Sequence, residues 1–242
     1  MQFPPIEPYD SGLLRVSDHD EIYWETSGNP DGIPVLYLHG GPGGGLGKGG
    51  YRRRCDPDRV SGLVLMVVTT TSRDEVDWIT EGVGRIFPEA WAEFDRGSGR
   101  RDGERLVEAY ARRLIGGDAE DRWAAAQAWN AWEDVHISLS PGWQPSTGPV
   151  DPVRARNFAT LVTRYWAHDG FLPGDQSIFS RLDRIAGLPA VLIHGRRDVS
   201  GPAITPWTLH QRWPASELII IDEGHGGEIM IDAMVDAIAR LT

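Results

Sequence analysis

One cysteine, Cys55, in 242 residues leaves the chain without an internal disulfide and without a Cys-rich metal site. Long apolar runs are missing as well. The longest, Leu63 to Val68, has six residues, against the ~18 that a membrane-spanning helix needs. Basic charge is scarce, with 24 Lys and Arg against 35 Asp and Glu and a net charge of −11. A phosphate-tracking surface is therefore a poor expectation, neither nucleic acid nor membrane is an expected partner, and small neutral or cationic ligands fit better. The seven histidines show no His-x-x-x-His spacing, so neither a metal nor any other cofactor is expected. Residues 1–8 carry prolines and Glu7 where a signal peptide would carry a basic segment and an apolar core, which predicts a cytoplasmic chain. No internal repeat announces a solenoid or propeller.

What is present suits one globular domain with an insertion: 40% of the residues are hydrophobic, and 29 glycines and 17 prolines sit at strand ends instead of in a low-complexity tract. Residues 12–25 read as a strand pair around the polar turn Ser17-Asp18-His19-Asp20, and Asn29-Pro30-Asp31-Gly32 as a second turn. Pro34 to Leu38, Leu63 to Val68, Ala190 to Ile193 and Leu218 to Ile221 are short apolar runs without polar alternation. That pattern predicts strands covered on both faces in a parallel α/β sheet. Between residues 74 and 183 the pattern turns helical, over Asp77 to Phe94, Glu104 to Ile115, Asp118 to Val135 and Pro152 to Ala167, and seven of the ten tryptophans lie there. Asp118 reads as an N-cap above an acidic first turn, and a last helix is expected over Glu228 to Leu241.

Three places could carry chemistry. His39-Gly40-Gly41-Pro42-Gly43-Gly44-Gly45 follows a predicted strand directly, and successive glycines let backbone N–H groups face a cleft, as stabilising an oxyanion requires. A plain Gly-rich turn is the alternative; a phosphate loop is disfavoured because Lys48 is followed by glycine and not by Ser or Thr. Asp198, in His194-Gly195-Arg196-Arg197-Asp198, lies just past a predicted strand, where it can orient an imidazole. His225, in Asp222-Glu223-Gly224-His225-Gly226, lies past the next one. Asp followed by His with one strand between them is the acid and base order of the α/β hydrolases.

Taken together these segments resemble the proline iminopeptidase family of α/β hydrolases, serine peptidases that release N-terminal proline from peptides. The resemblance also covers Arg53-Arg54-Cys55-Asp56-Pro57, Asp74-Glu75-Val76-Asp77-Trp78, Arg85-Ile86-Phe87-Pro88 with Trp91, Ala128-Trp129-Asn130-Ala131-Trp132-Glu133, Tyr165-Trp166 and Gly170-Phe171-Leu172. It implies an α/β-hydrolase core over residues 1–73 and 184–242 and a helical cap over 74–183. It also implies Asp198 and His225 as catalytic residues, Gly40 and Gly41 as the oxyanion loop, and a small peptide or amide with a free N-terminus as substrate. Cap carboxylates would hold the substrate's amino nitrogen. One falls on Glu133, with Trp132 beside it in the substrate-binding phrase, and the position of a second is Val162.

The departure from the family is at the nucleophile. Relatives carry roughly two βα units of ~30 residues each between Asp-Pro and the strand before the cap, ending in Gly-x-Ser-x-Gly. Here Asp56-Pro57-Asp58-Arg59-Val60 runs straight into Ser61-Gly62-Leu63, as if a segment had been excised. No Ser, Cys or Asp in the chain has glycine at both −2 and +2; Ser140 and Ser146 have only the second. The resulting expectation is a sheet shortened at its centre and a chain inactive or nearly so. The alternatives are an inactive scaffold that binds a small ligand or partner, and a deletion product without function. Cys55 follows three arginines, which favour thiolate, yet it occupies a position that serves packing in the family.

Overall fold

The computed structural model describes residues 7–36, 38, 40–41, 60–140, 142–144, 150–172 and 174–241. They form two compact units, one ending at Val60 and one running from Ser61 to Leu241. In the first, β1 (Asp10–Arg15) and β2 (Glu21–Thr26) pair antiparallel with Leu13 opposite Tyr23. The polar turn expected between them is closed by the Ser17 hydroxyl, which donates to Asp20 Oδ2 at 2.6 Å and accepts the N–H groups of His19 and Asp20. Asn29 Oδ1 accepts the Asp31 N–H at 3.1 Å and closes the second turn. The strand expected over residues 34–38 is corrected: Pro34, Val35 and Leu36 are not in a strand. A short apolar run becomes a strand only where a neighbouring ladder takes up its backbone groups. Tyr37 and His39 lie outside the described residues, as does Cys55.

The second unit holds a parallel sheet in the order β3 (Leu63–Met66), β4 (Ala190–Gly195), β5 (Ser216–Ile221), with Leu63 opposite Ala190 and Ala190 opposite Ser216. Every residue of β4 is buried, as the unbroken apolar runs require. Its side chains alternate between two cores. Ala190 and Leu192 pack with Leu182, Leu209 and Trp213, while Val191 and Ile193 pack with Met230 and Ala237. Leu209 belongs to α6 (Ile204–Gln211), and Met230 and Ala237 belong to α7 (Glu228–Leu241), so helices cover both faces. Within this unit β3 is an edge strand. It ends early because Val67 takes φ 55, a left-handed backbone that a β-branched side chain adopts only under constraint.

Between β3 and β4 the chain builds α1 (Arg73–Asp77), a π-helical turn (Trp78–Gly82), α2 (Pro88–Ser98), α3 (Leu106–Gly116), α4 (Ala119–His136) and α5 (Pro152–Ala167). The single helix expected over residues 77–94 is corrected to these shorter pieces. Pro88 has no N–H and forces Phe87 off helical geometry (φ −126°, ψ 67°), so the helix restarts at Pro88. Gly84 permits the tight join, since a Cβ there would sit 2.5 Å from the Trp91 ring. Asp118 and Asp151 cap α4 and α5 through their carboxylates. The helices share a core of stacked rings, Phe94 on Tyr110 at 4.7 Å and on Trp132 at 5.0 Å, with Trp129 and Val162 buried in the same cluster.

Candidate active site

Both sequence-singled loops leave the carboxyl ends of adjacent parallel strands, the loop of Asp198 after β4 and the loop of His225 after β5. Main-chain bonds zip them together: Arg196 N–H donates to Ile221 O at 2.7 Å and Arg197 N–H to Glu223 O at 2.9 Å. The Arg197 guanidinium adds a bidentate pair to Asp222, at 2.7 and 2.5 Å. Gly195 has to be glycine, because a Cβ built on it would overlap the carbonyl oxygens of Gly224 and Glu223 as the loops cross. The Glu223 carboxylate accepts the N–H groups of Ile229 and Met230 and so caps α7 just after the His225 turn.

This arrangement brings the two predicted residues into contact. His225 Nδ1 lies 2.9 Å from Asp198 Oδ2, with the Asp198 side chain fully buried and the His225 ring half exposed. The other carboxylate oxygen, Oδ1, accepts the Ser200 hydroxyl at 2.7 Å and the Gly201 N–H at 3.0 Å. Burial works against the Asp198 charge. The bonds from His225, Gly201 and Ser200 outweigh it and hold the carboxyl below its usual range. For His225, burial likewise opposes the charged form, but the Asp198 hydrogen bond and charge, with the Glu133 charge, raise its proton affinity above the ordinary value. Ser200 escaped the sequence reading; its place two residues beyond Asp198 in a turn was the available signal.

The substrate-binding candidates divide. Glu133 is close enough to act on His225 electrostatically, and its carboxylate is fixed by Trp129 Nε1–H at 3.0 Å and approached by His136 Nε2 at 3.1 Å. Trp132 is 2% exposed, donates Nε1–H to Ile79 O at 3.1 Å and stacks on Phe94 within the helical core. Val162 is buried in the helical core. Gly40 and Gly41 belong to the other unit, and His39 and residues 42–45 lie outside the described residues. Ser146 also lies outside them. Ser140 accepts the backbone N–H of His225 at 3.3 Å and packs so close to Gly224 that a Cβ there would clash with it.

The pair makes a pH-dependent contribution to stability whose sign follows from the two shifts. His225, raised on folding, contributes below about pH 6.5 and loses that contribution as pH rises through its folded value. Asp198, depressed on folding, contributes above about pH 4 and loses it as pH falls through its folded value. Urea midpoints of the wild type and Asp198→Asn should therefore differ most at pH 5–6, and the gap should narrow toward pH 9 without closing, because the His225 part is lost there while the Asp198 part remains. A constant difference across that range would mean that the pair does not titrate as one unit.

A buried carboxylate holding the Nδ1 side of a half-exposed imidazole, on loops beyond the carboxyl ends of adjacent parallel strands, has the geometry in which an acid orients a base in an α/β hydrolase. No family model matches the chain. A proline iminopeptidase from Arabidopsis thaliana is 32% identical over 291 residues, covering 92% of this chain and 77% of its own. Probable proline iminopeptidases from Leptolyngbya boryana and Streptomyces coelicolor are 31% and 32% identical, over 98% of this chain and 96% and 98% of theirs. The chain belongs to the proline iminopeptidase family. The Streptomyces alignment runs over 318 positions against 242 residues here, so at least 76 of its positions hold no residue of this chain. Among solved structures, an acetylester hydrolase from Corynebacterium glutamicum superposes with TM-score 0.42 at 16% identity, covering 76% of this chain and 55% of its own.

Proposed function

We propose that this chain is a proline iminopeptidase scaffold that keeps the acid–base pair and the amine-binding carboxylate but has lost the serine nucleophile. It would bind small peptides or amides with a free N-terminus and hydrolyse them at no more than a residual rate. The observation that carries this reading is the Asp198–His225 contact in a chain without Gly-x-Ser-x-Gly. Asp198 occupies Nδ1, so Nε2 is the nitrogen left to take a proton from a nucleophile. Among the described residues, no hydroxyl is hydrogen-bonded to Nε2: Ser200 lies on the Nδ1 side and Ser140 meets the main chain. Ser61 precedes β3, at the amino end of the sheet, whereas catalytic groups of this fold sit at the carboxyl end.

In this reading residues 74–183 cap the site of a cytoplasmic protein and Glu133 faces the substrate ammonium. Incubation with a fluorophosphonate probe should label no serine stoichiometrically, and turnover of a proline arylamide should be unchanged by His225→Ala. Prolinamide binding, followed by calorimetry, should weaken about tenfold or more in Glu133→Gln, the value of a hydrogen bond to a charged group. Stoichiometric labelling, or turnover abolished by His225→Ala, would reveal a replacement nucleophile and overturn the proposal.

A further inference from the structure

We infer that His194 is a positioning residue for the Asp198–His225 pair: its buried imidazole ties the end of β3 to the turn that carries Asp198 and so sets where the carboxylate meets His225. The inference rests on the reading of that pair as an acid–base unit. The sequence suggested that the strand ends at Ile193. The ladder instead continues through His194 and Gly195, which places the imidazole inside the protein with no exposed surface.

Both ring nitrogens meet main-chain groups of opposite kind. Val68 N–H donates to Nδ1 at 3.1 Å, and Nε2 lies 2.5 Å from Gly201 O. An amide N–H can only donate and a carbonyl can only accept, so Nδ1 is bare and Nε2 carries the hydrogen. A second ring proton would point at the Val68 N–H, and burial also disfavours the cation. The neutral ring is therefore a fixed strut. One end is on β3, where the parallel ladder stops: Val67 N–H still bonds Ile193 O, and the next donor, Val68 N–H, turns to the His194 side chain. The other end is on Gly201, whose own N–H donates to Asp198 Oδ1. Ser200, between them, donates to the same oxygen. Nε2 itself is 3.8 Å from Asp198 Oδ2, the oxygen that holds His225.

A ring that only filled space would be replaceable by leucine without consequence for His225. The charged and titratable groups that act on His194 are Asp198, His225 and Glu75, and those that act on His225 are Asp198 and Glu133. His194 and His225 also act on each other, but removing a like charge at residue 194 would raise the His225 midpoint, so a lowered midpoint reports the geometry of the pair.

Imidazole ¹⁵N–¹H spectra of the wild type should show His194 in the Nε2–H form with a midpoint below its ordinary value, and His225 titrating above its own. His194→Leu should lower the His225 midpoint by about one pH unit, a tenfold loss of proton affinity. His194→Gln, whose amide can still donate to Gly201 O, should recover at least half of that loss. A folded His194→Leu with an unchanged His225 midpoint would overturn the inference and leave the acid–base pair standing. Wild-type His225 titrating at or below its ordinary value would overturn the reading of the pair itself. Should His194→Leu fail to fold, the wild-type tautomer and His194→Gln decide: an Nδ1–H form, or a His194 midpoint at or above its ordinary value, would overturn the inference.

Discussion

Inserting the Gly-x-Ser-x-Gly-bearing segment of the Streptomyces coelicolor relative between Cys55 and Ser61 should raise proline arylamide hydrolysis by at least about 10³-fold over the chain as it stands. Losing the serine from a Ser-His-Asp set costs about 10⁶ in kcat, and the remainder comes from binding and the oxyanion site. On the proposed reading two of the three members are already assembled here, with the buried Asp198 carboxylate bonded by Ser200, Gly201 and His225. The smaller figure allows for imperfect fit of the borrowed segment against β3, which within its unit offers an unpaired edge to a new parallel strand. Changing the inserted serine to alanine should abolish both the gain and fluorophosphonate labelling. An insertion variant that melts cooperatively yet stays unlabelled would mean that His225 is not placed to serve a nucleophile.

The restored enzyme should bind proline arylamide weakly, with a raised KM. Val162, at the position where the family's second carboxylate is expected, is sealed into the helical core beside Trp129 and Trp132. On the proposed reading, an ammonium held by Glu133 alone would lack one of its two charged partners. Writing Glu back at residue 162 would bury a charge in that apolar cluster unless the substrate amine were bound.

Elements with an autonomous signal were legible in the sequence. The bounds of α5 and α7 match the periodicity because Asp151 caps one through its carboxylate and both carry clean apolar stripes. Asp198 and His225 were legible because the strands before them are unbroken apolar runs, which fixes where the loops begin. Features decided by tertiary contact were not. The run from Pro34 lacks a strand, helix 77–94 breaks at Phe87, and α6 hides behind Pro206 and a weak amphipathic pattern. His194 reads as a loop residue because a histidine ends the apolar run. Only the ladder, which carries β4 two residues further, shows it to be a buried strut.

Gly195→Ala is expected to cost about 3 kcal/mol or more, at the upper end of what overpacking does. The reason is the nature of the obstacle. A methyl at Gly195 meets the carbonyl oxygens of Gly224 and Glu223, which are main chain and cannot rotate away as a side chain could. Relief requires the His225 loop to move as a body, and that loop is fastened by Arg196 and Arg197 main-chain bonds, the Arg197–Asp222 pair and the Glu223 cap on α7. Displacing it pulls Nδ1 away from Asp198 Oδ2, so the substitution should also lower His225's proton affinity toward the ordinary imidazole value. Gly187→Ala supplies the control: nothing lies within 4 Å of a Cβ there, and its effect should stay within about 0.5 kcal/mol. Thermal melts and a His225 titration of the two variants compare these outcomes directly. A Gly195→Ala protein with wild-type melting and an unmoved His225 midpoint would show that the two loops do not cross in close contact, and the assembly of the acid–base pair would need another explanation.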